Sequence, residues 1–346
     1  MKNQHNLLMA SLVALLPLLA CYTRFGDSTP AVQHEVLSTS PNAYSWEQIL
    51  PFGNGTHQYK WKPGTFPLGL KPIQAFGGNL WMIGQKASWS SSDGTTWTRH
   101  SKQDWGERIT MTYAFFDNTL WMYGGMQYQE RQLVNEVWFS KDGTTWKQAD
   151  NAAWQPRKGH AVVEFKGRLW LLGGVSKVSS DFESLEMKND VWSSADGLHW
   201  TQETEHAPWS PRDSPHVLVM HDTLYLLSGQ GLADVWRSAD GKNWTQLTAK
   251  APWKERFDNG ALVYDNQLWV FGGRNTNPDH HLAAQNDVWF SDNGTQWMRQ
   301  TEHAPWTVRS GGNSVVFKDQ LWLYSGKHTG GNPVWRGDIW ALKKNK

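Results

Sequence analysis

Five arginines and five acids recur in step along this chain, and they are its most conspicuous chemistry. Arg108, Arg157, Arg212, Arg256 and Arg309 each stand 13 residues before the aromatic of a short apolar run, at Trp121, Trp170, Tyr225, Trp269 and Trp322. Glu136, Asp190, Asp234, Asp287 and Asp338 each stand two residues before a further tryptophan, at Trp138, Trp192, Trp236, Trp289 and Trp340. A guanidinium offers a planar fork to a carboxylate. The series therefore reads either as a ring of cations for a carboxylated ligand or acidic partner, or as an internal clamp built five times. The run that contains Trp81 favours the clamp. It has Leu68 where the arginine should be and Ala87 where the acid should be, so both partners are missing together.

Other reactive types are sparse. Asp279-His280-His281 has metal-ligating side chains but no second cluster to complete a site. There is no Gly-x-Ser-x-Gly elbow, phosphate loop or zinc spacing, so no metal, cofactor or catalytic residue is assigned. His160 and His216 stand at the start of apolar runs and read as satisfied structural histidines.

The elements that must position these groups follow from a repeat. From Trp89, Trp138, Trp192, Trp236 and Trp289 the next tryptophan of the series lies eight residues on, at Trp97, Trp146, Trp200, Trp244 and Trp297, across Asp-Gly or Asn293-Gly294. Such spacing suits a hairpin whose turn fixes its register. Residues 157–209 give the cleanest unit: apolar runs ending in Leu169-Trp170-Leu171-Leu172, then Gly173-Gly174, Val191-Trp192 and Trp200-Thr201-Gln202. Four short strands a to d per unit, repeated every ~50 residues, predict a propeller blade.

Six units are present, and the sixth lacks a fourth strand after Trp340. Ser45-Trp46-Glu47-Gln48 resembles Trp200-Thr201-Gln202 and is expected to supply it, closing the ring and removing exposed sheet edges. The fold class is thus all-β: a six-bladed propeller of four-stranded antiparallel blades over residues 43–343, closed by the N-terminal strand. Of the 24 tryptophans, all but Trp335 are held in register by the repeat. They read as packing between blades, with Trp61, Trp105, Trp154, Trp209, Trp253 and Trp306 following strand d.

The doublets Gly124-Gly125, Gly173-Gly174 and Gly272-Gly273, with an aromatic spaced beyond them, resemble the Kelch family of propellers. Ser228-Gly229, Ser325-Gly326 and Ile83-Gly84 depart from the doublet. The turns from Ser194 to Trp200 and their equivalents resemble a shortened Asp-box of sialidase propellers, a structural turn in that family. Galactose oxidase, also Kelch-like, uses copper with a cross-linked cysteine and tyrosine. That chemistry is not expected here, because the sole cysteine is Cys21.

Residues 1–20 read as a signal peptide with an apolar run from Leu7 to Ala20, too short to span a bilayer. Leu18-Leu19-Ala20-Cys21 is similar to the bacterial lipobox, which implies lipidation of Cys21 and membrane anchoring in the cell envelope. Tyr22, instead of Asp, implies outer-membrane sorting under the enterobacterial rule. Residues 21–42 are polar and read as a flexible tether with a reach of about 25 Å. With 33 basic and 32 acidic residues the net charge is +1, which excludes a nucleic-acid footprint. A monomer is expected.

In a four-stranded meander the a–b and c–d turns share one face, and the b–c loops and d–a links share the other. The second face varies strongly in loop length, and variable loops on a rigid frame are where binding is expected. Its candidate ligand residues are Tyr128, Glu130, Arg131, Arg274, His280, His281, Lys327, His328 and Trp335. Two functions follow as expectations: a lipid-anchored scaffold that binds a protein or glycan, or a sugar-active enzyme resembling the Kelch-type sialic acid mutarotases.

Overall fold

The computed structural model describes residues 43–51, 73–84, 87–102, 105–179, 184–229, 231–276, 282–328, 334–335 and 337–345. The signal peptide, Cys21, the tether, Trp61, Leu68, His280 and His281 lie outside the described residues. Within them the chain builds six four-stranded antiparallel sheets. The third is Ala161–Phe165, Arg168–Leu172, Val191–Ser194 and Trp200–Thr204, paired in sequence order as strands a to d.

Its strand b shows why these runs are apolar throughout instead of alternating. Leu169 and Leu171 join Trp121 and Tyr123 of the second sheet in one core, while Trp170 and Leu172 join Leu224 and Leu226 of the fourth in another. Side chains alternate across a strand, and here both faces meet a neighbouring sheet. The apolar cores therefore lie between sheets.

The inner strands are Ile73–Phe76, Thr112–Phe116, Ala161–Phe165, His216–Met220, Gly260–Tyr264 and Asn313–Phe317. Each touches the next, and the last touches the first, so the sheets form a closed β-propeller ring. The sixth sheet holds Asn313–Phe317, Gln320–Tyr324, Ile339–Lys344 and, outermost, Tyr44–Leu50, with Trp46 opposite Leu342. The N-terminal strand closes the ring as the orphan Trp340 requires.

The c–d turns lock each sheet to the one before it. In the third, Ser194 Oγ accepts from Gly197 N at 2.9 Å, and Asp196 Oδ1 accepts from Leu198 N and His199 N at 2.9 and 2.8 Å. Gly197 has φ +81°, and a Cβ there would stand 2.7 Å from the Trp121 ring. The turn thus presses a bare backbone onto the strand-b aromatic of the preceding sheet. Gly143 meets Trp81 likewise, Gly241 meets Trp170, Gly294 meets Tyr225, and Gly94 of the first sheet meets Trp322 of the sixth.

Trp269 has no such turn to cover it, because the sixth sheet's outer strand comes from the N-terminus. Tyr44 takes that place: its ring meets Trp269 edge-on at 4.9 Å and its hydroxyl donates to Asp265 Oδ2 at 2.6 Å.

One expectation shifts. Trp97, Trp146, Trp244 and Trp297 precede strand d instead of lying on it, since their strands begin at Thr98, Lys147, Thr245 and Met298. Three of these indoles donate back to the turn glycine's carbonyl, as Trp146 does to Gly143 O at 3.1 Å, and so belong to the turn.

Candidate functional site

The face that carries the b–c loops is the candidate, and its arginines come first. Arg157 forms a fork to its own sheet's acid: Nη1 to Asp190 Oδ1 at 2.7 Å and Nη2 to Asp190 Oδ2 at 2.8 Å. Arg212 with Asp234, Arg256 with Asp287 and Arg309 with Asp338 repeat this bidentate geometry. Arg108 makes a single contact with Glu136. The pairing runs within a sheet, not between neighbours.

Each acid also accepts from the tryptophan two residues on, as Asp190 Oδ2 does from Trp192 Nε1 at 2.8 Å. Each guanidinium donates to the carbonyl that ends strand b, Gly173 O for Arg157 at 2.9 Å. Three of them also lie over the tryptophan three residues earlier, Arg157 over Trp154 at 5.9 Å. All five arginines are at most 2% exposed. Burial opposes ionisation of Asp234 and Asp287, but Arg212 and Arg256 more than offset it and hold both below the usual carboxylate range. These groups tie strand a to strand c.

The tryptophans after strand d are equally engaged. Trp105, Trp154, Trp209, Trp253 and Trp306 are each 1% exposed. They meet edge-on the tryptophan on or just before strand d of the following sheet, Trp253 against Trp297 at 4.4 Å and Trp306 against Trp46 at 5.8 Å.

What remains open on this face is a set of added short ribbons, two-stranded in three sheets and joined by Arg108–Ile109 as a third strand in the second. The second sheet carries Met126–Gln127 with Gln132–Leu133, and the third carries Val175–Val178 with Leu185–Met187. The fifth carries Arg274–Thr276 with Leu282–Ala284, and the sixth Lys327–His328 with Val334–Trp335. In the first sheet Gly84 N donates to Ala87 O at 2.9 Å, and in the fourth only seven residues, 228–234, separate strands b and c.

The structure brings Tyr128, Glu130 and Arg131 together in the turn of the first ribbon, all exposed, with Tyr128 at 58%. Arg274 starts the third ribbon and pairs with Asp258 at 2.9 Å. Lys327 is in the fourth, bonded through its backbone to Ser310, and His328 and Trp335 are on its two strands. His280 and His281 fall outside the described residues. Among the described residues no three His, Cys, Asp or Glu side chains are placed to hold a metal ion.

Two groups escaped sequence reading. Lys158 of the third sheet's link reaches Asp213 of the fourth's at 3.0 Å, one residue after Arg157 and Arg212 respectively. Two residues after each arginine stand Thr110, Gly159, Ser214, Asp258 and Gly311, all with φ between 52° and 63°. Gly159 N donates to Thr110 O and Ser214 N to Gly159 O, a backbone collar between sheets. The repeat phase of the arginines was the signal that would have located both.

His216 is satisfied, its Nε2 lying 2.8 Å from Asn259 O. His160 is not. It is 4% exposed beside Trp154, and neither ring nitrogen has a hydrogen-bond partner among the described residues. Burial, and then the charge of Arg157, push its pKa down to about 3.

A family model described as a DUF6242 beta propeller domain matches residues 140–258, from the end of the second sheet's strand c to the start of the fifth. No curated protein matches the chain. Among solved structures it is similar to one titled "Structure of YjhT", at 16% identity and a TM-score of 0.66, covering 82% of this chain and 99% of that one. That likeness bears on the fold alone: the chain is a β-propeller.

Proposed function

We propose that the protein is a binding scaffold, held in the cell envelope by lipidated Cys21, that takes a protein or glycan ligand on the face carrying the four ribbons. One observation carries this reading. Additions to the repeat fall on the b–c connections of one face, while the turns of the other face are used up in locking sheet to sheet. Loops freed from holding the frame together are the ones available for recognition.

The point of chain entry supports the same reading. Tyr44 begins strand d of the sixth sheet at the turn face, where it meets Asp265 of an a–b turn. The described chain thus enters the propeller on the side opposite the ribbons. A sugar-active enzyme of the mutarotase type would draw on channel arginines, and the five that recur are buried against internal acceptors.

The test is a thermal-shift screen of the chain against neutral and acidic sugars and against glycan fragments. A ligand at 100 times its dissociation constant adds about 2.7 kcal/mol. Any stabilisation found should be lost in Tyr128→Ala with Arg131→Ala and kept in Lys141→Ala on the turn face. A response indifferent to the ribbon pair but lost in Lys141→Ala would refute the assignment of the face.

A further inference from the structure

We infer that a cleft on the outer flank of the third sheet is a receptor for an arginine side chain of a partner protein. It lies against the outermost strand, Trp200–Thr204, and does not rest on the ribbon-face reading. Its volume is 580 Å³, and Gln155, Glu186, Trp192, Gln202, Glu205 and His206 are among its walls.

The molecule itself shows what such a site holds, because the third and fifth sheets are built from the same words. Asn189-Asp190-Val191-Trp192 repeats as Asn286-Asp287-Val288-Trp289, and Thr204-Glu205-His206-Ala207-Pro208-Trp209 repeats as Thr301-Glu302-His303-Ala304-Pro305-Trp306. The geometry repeats too. Asn189 Oδ1 lies 3.2 Å from His206 Nδ1 and Asn286 Oδ1 lies 3.3 Å from His303 Nδ1, while each asparagine amide donates to the matching alanine and tryptophan carbonyls.

The copies differ at the residue opposite the strand-c tryptophan, which is Arg299 facing Trp289 in the fifth sheet and Gln202 facing Trp192 in the third. Arg299 lies over the Trp289 ring at 5.7 Å and reaches Glu302 at 3.4 Å. Arg99 lies over Trp89 in the same way at 5.9 Å. In the third sheet no cation among the described residues takes this place. Trp192 is half-buried, Gln202 is exposed, and Glu205 makes no ion pair or hydrogen bond among the described residues.

Of the charges that line the cleft, Arg157 is paired with Asp190 and Lys188 with Glu186 at 2.6 Å, which leaves Glu205 as the wall carboxylate with no cation among the described residues. An aromatic face beside a lone carboxylate selects a guanidinium over an ammonium, since the flat, weakly hydrated fork both stacks and pairs. The occupant is therefore an arginine on a basic segment, placed as Arg299 is placed in the fifth sheet.

The test uses calorimetric titration of the full chain with a capped triarginine peptide, and with the capped tricitrulline peptide as an uncharged isostere. Saturable one-to-one binding is expected with triarginine only. Glu205→Gln should weaken it at least about tenfold, and Gln202→Arg should abolish it by filling the cleft from within, while Glu302→Gln leaves it unchanged. All three positions are exposed, Gln202 on the outer strand and Glu205 and Glu302 just past its end, so the variants should fold. No saturable heat, equal binding of tricitrulline, or binding that survives Gln202→Arg would each overturn the proposal. Binding at the ribbons instead would survive Gln202→Arg and be lost with Tyr128→Ala.

Discussion

Trp105 Nε1 donates to Gly84 O at 3.2 Å, and this occurs in the one sheet whose repeat has neither arginine nor acid. In the other five the carbonyl at that position is taken by the arginine, and the indole N–H of Trp154, Trp209, Trp253 and Trp306 is left without a partner among the described residues. The first sheet thus holds the double replacement that explains why arginine and acid are missing together. One carbonyl serves two possible donors.

A prediction follows for the third sheet. Arg157→Leu or Asp190→Ala alone leaves a buried charge unpaired and should cost about 3–5 kcal/mol. The double variant recreates the first sheet's solution, with Gly173 O free for Trp209 Nε1, and should cost clearly less than the sum. Urea unfolding of the four proteins measures the coupling. A value below about 0.5 kcal/mol, the additivity error for independent sites, would remove the clamp from the account.

Ring closure rests on Tyr44 as much as on strand pairing. Its ring covers Trp269 and its hydroxyl meets both Asp265 and Gln267, at 2.6 and 2.9 Å. Tyr44→Ala should cost about 3–5 kcal/mol, as large-to-small changes at buried aromatics do, and deletion of residues 43–50 more. Deletion of residues 22–40 should leave the melting temperature unchanged. Equal effects of the two deletions would show that the N-terminal strand does not hold the ring.

The frame was legible in the sequence because its signals repeat in phase. The interval from Trp192 to Trp200 fixes a hairpin, and Trp340 without a partner calls for a strand from elsewhere. The ribbons were visible only as loop lengths, since pairs such as Gln127 with Gln132 or Lys177 with Glu186 are short and polar and show no alternation. His160 was misread for a different reason. Its position in the other units holds Lys71, Met111, Pro215, Asn259 and Gly312, so the repeat fixes no residue type there, and only packing reveals that its nitrogens go unmet among the described residues.

Anchoring by Cys21 makes a separate prediction. Cys21→Ser should abolish palmitate incorporation in cells and leave a slower-migrating precursor. Normal labelling of the variant would end the lipoprotein reading without touching the propeller.

The unpartnered His160 gives the last prediction, one of pH. Its pKa is about 3 in the folded protein against 6.5 as the ordinary value, because the charged ring would be buried and would face Arg157. A depressed pKa means that the unfolded chain binds the extra proton first. The stability linked to His160 is therefore fully present above pH 6.5 and is lost as pH falls from 6.5 toward 3, at about 1.4 kcal/mol per unit. Turn carboxylates act in a lower window: burial opposes ionisation of Asp240, yet the N–H groups of Asn243 and Lys242 bring its pKa to about 2, so its contribution is lost only below about pH 4. Between pH 6.5 and 5 the histidine acts without them. His160→Met, which installs the residue the second sheet already uses at Met111, should flatten that window by about 2 kcal/mol relative to the parent chain. Denaturant unfolding at pH 6.5 and pH 5 decides it. If the two proteins lose stability equally over that interval, His160 gains its proton no more reluctantly folded than unfolded, and the buried, unmet ring is not what the packing implies.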